Sequence, residues 1–316
     1  MKPLKIVFFG TPEFAKCSLE AIHQSAHEVV GVVTVADKAS GRGQKIQQSP
    51  VKVYAEEQNL PVFQPEKLRN PEFLQSIRDL EADVFVVVAF RMMPKILFEM
   101  PRLGTFNLHA SLLPDYRGAA PINYAVINGE TKTGATTFFI NEKIDEGNIL
   151  LQDEIEIFPD ENAGQLHDRL MLMGAELVVK TLDGLAHNSI SEKVQPFVEN
   201  PKNAYKIFKE DTRINWKQEG IKVHNFIRGM SPYPCAFTTL KIGEDTKSLK
   251  IYKGAFAAAN DVAHAGKLKI DKNNFSISTA DGLYFPEEIQ LEGKKRMNVK
   301  DFLNGFRDFE DISLAD

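Results

Sequence analysis

Apolar stretches with few polar interruptions recur through the first half of the chain: KIVFFG (5–10), EVVGVVTV (28–35), PVF (61–63), DVFVVVAF (83–90), GTFNLHA (104–110) and TGATTFFI (133–140). Runs that are continuous rather than alternating belong to strands buried on both faces, so a mostly parallel sheet covered by helices on each side is predicted. Helix starts fall between the strands. Thr11-Pro12 and Ser49-Pro50 each offer a hydroxyl N-cap followed by Pro at the first helical position, and Asn70-Pro71 offers an amide in the same place. A long helical pattern then runs from about Asn162 to Leu185.

The pattern changes after that helix. HNSISEKVQPFVENPKNAY is polar and carries two prolines, as a linker does. Beyond it a helix is predicted over 218–229, followed by short runs separated by turn residues: CAFTTLKI, SLKIYKGAFA, GKLKID, NFSISTA and GLYFPEEIQL. Five short strands of this kind predict a small β-barrel of the OB type. The expected organisation is an α/β Rossmann-like domain over 1–188 with a mostly parallel sheet, a linker over 189–205, and an OB-like barrel domain over 206–316.

Composition narrows the class. A chain of 316 residues with 43% hydrophobic and 26% charged residues can bury a sizeable core. No apolar run approaches the roughly 20 residues that a membrane helix needs, and the start lacks the features of a signal peptide. Cys17 and Cys235 form no CxxC pair and the seven His are scattered, so a reducing cytoplasmic setting is expected and no metal site is. The net charge of −5 argues against indiscriminate nucleic-acid coating, yet residues 206–300 carry 17 Lys+Arg against 11 Asp+Glu. That excess permits a phosphate-facing surface, or simply a solvated lysine-rich face.

Candidate chemistry sits at the end of one strand. Asn107 and His109 are two residues apart, which on a strand places an amide and an imidazole on the same face. Such a pair suits stabilisation of an oxyanion, although a lone His in an apolar run is more often a satisfied core residue. Asp145, in IDEGNIL, could orient His109 or accept a proton from an amine, or simply make a turn. The loop ADKASGRGQKIQQSP (36–50) is long for a βα connection and holds Lys38, Arg42 and Lys45, suited to a phosphate or base edge or to a mobile surface loop. Gly10-Thr-Pro-Glu-Phe-Ala lacks the second and third glycines of a dinucleotide fingerprint, so an NAD site is not expected.

Taken together, FFGTPEFA, GRGQK, SPVK, PVFQP, VVVAF, MPRLGTFNLHASLLPDYRGAAPI, TGATTF, IDEGNI, RINW and IRGMSPYPCAF closely resemble the methionyl-tRNA formyltransferase family over essentially the whole chain. The resemblance implies transfer of a formyl group from 10-formyltetrahydrofolate to the α-amino group of methionine on initiator tRNA, without a metal, by a cytoplasmic monomer that engages the acceptor stem. It implies a catalytic trio of Asn107, His109 and Asp145 and a folate-binding loop of Ser111, Leu112, Leu113 and Pro114. It also places the pterin beside Val88, Ala89 and Phe90, and tRNA contacts at Arg42, Lys45 and Lys38. Ala110, Phe90-Arg91 and the loop start DKASGRG depart from the family pattern, and the last leaves details of acceptor-stem contact open. The rival readings are a formyltransferase acting on an amino sugar nucleotide and, in another class, a tRNA-binding protein without catalysis on the same scaffold.

Overall fold

The computed structural model describes residues 3–40, 45–259, 264–305 and 312–315. The chain divides into two compact units, one formed by Met1–Gly118, Thr133–Ile155 and Asp168–Asn203, the other by Ala119–Lys132, Glu156–His167 and Ala204–Asp316.

The first unit begins with β1 (Lys5–Gly10), α1 (Glu13–His23), β2 (Glu28–Val33), the short strands β3 (Lys38–Ser40) and β4 (Lys45–Gln47), α2 (Pro50–Glu57) and β5 (Val62–Phe63). It continues through α3 (Pro71–Asp79), β6 (Val84–Val88), α4 (Lys95–Phe98) and β7 (Thr105–His109), ending this run with the two-residue β8 (Arg117–Gly118). After α5 (Pro121–Ile127) come β9 (Lys132–Phe139), β10 (Ile149–Glu156) and α6 (Ala163–Ala186). Among the described residues these strands build a seven-stranded sheet in the order β10-β9-β7-β6-β1-β2-β5. β1 runs parallel to β2 and β6, β2 to β5 and β6 to β7, while β9 is antiparallel to β7. The mostly parallel sheet is as expected, and strand order reverses at β1, next to β6, where such sheets open a crevice at their carboxyl ends.

Burial explains why the strand sequences do not alternate. Ile6, Val7, Phe8 and Phe9 have no exposed surface. Val7, Phe9, Phe85 and Val87 pack on one face against Phe73, Leu74 and Ile77 of α3 and Leu97 and Phe98 of α4. Helix α6 covers the same face of β7 as Leu108, close enough that a Cβ on Gly174 would stand 2.9 Å from Leu108 Cδ2. Thr181 of α6 also hydrogen-bonds Thr137 of β9 at 2.8 Å.

Two local features differ from the sequence expectation. Ser49 and Asn70 cap their helices, accepting from Lys52 N–H at 3.1 Å and from Glu72 and Phe73 N–H at 2.8 and 3.2 Å. Thr11 does not cap α1. Pro12 takes the N-cap position with extended backbone, and its carbonyl accepts from Lys16 N–H at 3.1 Å. Strand β10, ILLQDEIE, is an edge strand whose burial alternates after Leu150, and its acidic outward positions hide it from a search for apolar runs.

The second unit holds β11 (Asn203–Ala204) at its boundary, α7 (Gly220–Met230), β12 (Ala236–Ile242), β13 (Asp245–Ala258), β14 (Leu268–Asp271), β15 (Asn274–Ser278), β16 (Gly282–Leu291), β17 (Met297–Asn298), α8 (Val299–Asn304) and β18 (Ile312–Leu314). Its sheet runs β14-β15-β16-β13-β12-β18 with β17 on β16, and the end strands β14 and β18 touch, giving the expected barrel-like form. The five predicted strands correspond to β12 through β16. Val223, Ile227 and Met230 of α7 enter the barrel core with Trp216, Leu249, Ile251 and Tyr284. Segment 119–132 belongs here through α5, where Asn123 Nδ2 donates to the Gly229 carbonyl at 2.7 Å.

The caps give a direct test. Asn70→Ala should destabilise by about 1 kcal/mol, the ordinary worth of an N-cap, whereas Thr11→Ala should stay within about 0.5 kcal/mol. Urea denaturation of both variants beside the wild type reads the difference.

Candidate active site

Strand periodicity decides which side chains meet. Phe106 and Leu108 are buried, with Leu108 against α6, so Asn107 and His109 project from the opposite face of β7. The Asn107 amide is half-buried and makes no hydrogen bond among the described residues. His109 is buried: its Nε2–H donates to the Tyr116 carbonyl at 2.8 Å, and its ring meets Phe138 edge-on at 6.5 Å.

Asp145 approaches from the turn between β9 and β10. Its Oδ2 lies 3.9 Å from His109 Nδ1 and accepts from the Gly118 N–H at 2.9 Å. A contact of 3.9 Å is electrostatic rather than a hydrogen bond. The residue is held at φ +55°, a left-handed conformation that costs a residue with a Cβ about 1–3 kcal/mol. Two residues on, Gly147 passes so close to β9 that an added Cβ would stand 1.5 Å from the Phe139 carbonyl oxygen. The sequence motif IDEGNI therefore has a steric reading: glycine lets the turn close against β9.

The loop after β7 is fixed by neighbouring strands. Thr136 of β9 donates its hydroxyl to the Ser111 carbonyl at 2.6 Å and accepts from Leu113 N–H at 3.1 Å. Gln152 of β10 donates to the Leu113 carbonyl at 3.0 Å, and Ser111 Oγ donates to the Asp115 carbonyl at 2.7 Å. Leu112 and Pro114 are half-buried while Ser111 and Leu113 are buried, so this stretch offers a preset rim beside His109. Thr136 and Gln152 escaped sequence reading, because a hydroxyl within an apolar strand and an amide on an edge strand carry no motif.

At the end of β6, Val88 is buried, Ala89 is exposed at φ +47°, and the Phe90 ring packs edge-on to Phe9 at 5.7 Å. Phe90 is thus committed to the core, and backbone groups are what this bend presents. Arg91 donates to the carbonyls of Glu66 and Pro65.

Arg42 lies outside the described residues. Lys38 and Lys45 fall on the backbone of β3 and β4, which pair with each other through Lys38–Gln47 and Ser40–Lys45. The base of this hairpin is pinned. Lys52 Nζ meets Asp37 Oδ2 at 2.5 Å and Gln64 Nε2 donates to Asp37 Oδ1 at 2.7 Å, and the Lys52 ammonium, then the Gln64 amide, hold the Asp37 carboxyl below its ordinary range. Among the described residues no group of three or more His, Cys, Asp or Glu is placed to hold a metal ion, and no helix is long and apolar enough to cross a membrane.

A Rossmann-like sheet here brings an amide, an imidazole and a carboxylate together beside a tied-down loop, groups chemically able to donate to an oxyanion and to hold a proton. The family described as formyl transferase matches residues 4–182, and the formyl transferase C-terminal domain matches 206–307. The chain belongs to the formyl transferase family. It is 50% identical over 305 residues to a methionyl-tRNA formyltransferase of Flavobacterium johnsoniae, covering 96% of this chain and 97% of that one. The methionyl-tRNA formyltransferase of Bacteroides thetaiotaomicron is 46% identical over 314 residues, with 96% of each chain covered. Among solved structures, a sugar 3N-formyl transferase crystallised with dTDP and 5-N-formyl-THF shares the fold at a TM-score of 0.66 and 23% identity, covering 93% of this chain and 100% of that one.

Gly147→Ala should displace the Asp145 turn and lower formyl transfer by on the order of 10²-fold, the cost of misplacing a reacting group by about 1 Å. Steady-state rates with a matched circular dichroism spectrum check this, and an unchanged rate would mean the turn does not set the carboxylate.

Proposed function

We propose that this chain transfers the formyl group of 10-formyltetrahydrofolate to the α-amino group of methionyl-initiator tRNA, giving N-formylmethionyl-tRNA for translation initiation. One observation carries the reading: relatives bearing that activity match at 46–50% identity across nearly their whole length, second domain included. Likeness to the sugar enzyme, at 23% identity, extends to fold alone.

The residues suit the donor. Backbone of Val88, Ala89 and Phe90 at the sheet crevice would receive the pterin, and Ser111, Leu112, Leu113 and Pro114 would line its other side. The positive φ of Ala89 supports this, since such bends recur where backbone groups face a ligand. When bound, the folate supplies an activated formyl carbon whose oxygen gains negative charge as the amine adds. The Asn107 amide, whose N–H groups are unengaged among the described residues, donates to that oxygen. His109 acts beside it as the second donor, exchanging the Tyr116 carbonyl for the oxyanion. The carboxylate of Asp145, close to His109 Nδ1, steadies positive charge on the ring and takes up the proton released by the attacking amine; collapse of the tetrahedral centre would then break the bond between the formyl carbon and the folate nitrogen, which leaves carrying a proton.

For the tRNA, the loop bearing Lys38, Arg42 and Lys45 and the basic stretch 206–300 of the barrel domain are assigned to backbone and acceptor-stem contacts. In this division of labour the region 1–188 is catalytic and folate-binding, and 206–316 is tRNA-binding. The enzyme acts as a monomer in the cytoplasm, where Cys17 and Cys235 remain free thiols.

The decisive assay offers purified protein 10-formyltetrahydrofolate with Met-charged initiator tRNA, Met-charged elongator tRNA and an amino sugar nucleotide in parallel. Transfer confined largely to the initiator tRNA is expected, with Asn107→Ala and His109→Ala each slower by on the order of 10² to 10³. Transfer to the sugar sinks the substrate assignment, and near wild-type turnover by either folded variant sinks the mechanism. Arg42→Ala should raise KM for tRNA about 10-fold while leaving KM for the folate unchanged, and equal effects on both would remove Arg42 from the tRNA contact.

A further inference from the structure

The Asp145 turn is shaped from outside by a stretch that composition alone marks as a connection. Gln195, 9% exposed, donates from Nε2 to the carbonyls of Asp145 and Gly147, each at 2.8 Å. Its Oε1 accepts from Nε and Nη2 of Arg117 at 3.2 and 2.6 Å. Both N–H groups and the oxygen of the amide are thereby engaged. The two carbonyls it holds bracket the residue pair that turns the chain, and the first belongs to Asp145 itself, at φ +55°. A left-handed residue with a Cβ persists only where its surroundings over-determine it. Gln195 supplies that determination.

The backbone around it reinforces the hold. Lys193 and Ile149 exchange N–H···O bonds at 2.7 and 2.8 Å, and Asn148 Nδ2 donates to Glu192 Oε2 at 3.0 Å. Further along the same stretch, the Lys202 carbonyl accepts from the Tyr116 N–H at 2.5 Å, and the Tyr116 carbonyl is the partner of His109 Nε2. One short segment therefore braces both His109 and Asp145.

We infer that Gln195 is a positioning residue for formyl transfer: by fixing the carbonyls of Asp145 and Gly147 while anchored to Arg117, it aims the Asp145 carboxylate at His109 without touching the reacting atoms. The inference rests on the reading of Asn107, His109 and Asp145 as the reacting group. Gln is suited to the task because its amide donates twice and accepts on one uncharged group. A Glu in its place would turn a carboxylate oxygen towards two carbonyls, and a Met would fill similar volume with no donor at all.

The experiment uses the full chain, with kcat and both KM values measured separately on Met-charged initiator tRNA. Gln195→Met should lower kcat about 10- to 100-fold, as a misaimed group does, while each KM stays within about threefold. Gln195→Glu keeps the Arg117 contact, loses the two donors and sets a carboxylate oxygen against the two carbonyls, so it should show a kcat loss at least as large and serves if Gln195→Met does not fold. In an Asp145→Asn background, adding Gln195→Met should change kcat by less than about twofold, because a residue acting through the carboxylate has nothing left to act through. Wild-type kcat in a folded Gln195 variant, or an equal loss in both backgrounds, overturns the inference. A loss confined to KM or to thermal stability does so as well. Full activity of Asp145→Asn overturns the catalytic reading beneath it and takes the inference with it, whereas an inactive Asp145→Asn beside an unaltered Gln195→Met overturns the inference alone.

Discussion

Strand β7 has two faces and can spend each only once. Leu108 goes to α6, leaving Asn107 and His109 on the side where Asp145 and the Tyr116 carbonyl wait. A one-residue slip against β6 or β9 would turn the whole set over, sending the amide and imidazole into the helix layer and two apolar side chains into the site. The observed register, Asn107 opposite Val87 and Phe138, is held from both sides by strands that are buried across their width. The stability of the sheet and the identity of the site are thus one constraint.

Around that strand, three pieces of irregular backbone are made rigid by polar side chains rather than by packing. Thr136 and Gln152 tie down the loop 111–114, the ion pair of Asp37 with Lys52 fixes the base of the β3–β4 hairpin, and Gln195 grips the Asp145 turn. Each uses a side chain to satisfy backbone or carboxylate groups that no ladder reaches, which is how a loop becomes a preset surface. Preset geometry matters for an oxyanion mechanism, because donors already in place need no reorganisation as charge develops.

The second unit follows a different physical rule. Its strands alternate in burial, as in β12, because only one face of the sheet meets the core and α7 closes over it. Its outward face is thereby left free of core packing, while the first unit keeps both sheet faces covered.

The sequence by itself determined the sheet, since continuous apolar runs are stable only when buried on both sides, and it determined the barrel strands through turn residues between short apolar runs. It also paired Asn107 with His109, because a spacing of two on a strand is a statement about direction. Ser49 and Asn70 were legible as caps for the same local reason, whereas Thr11 was not a cap because Pro12 took the position. What only the tertiary structure decided lies across long separations. That Asp145 comes within 3.9 Å of His109, that Gly147 must clear the Phe139 carbonyl, and that Gln195 reaches back over 50 positions to hold Asp145 depend on how strands stack and loops return. Local patterns encode the backbone's short-range preferences, but a contact between distant residues exists only once burial of the core has fixed where each loop must end.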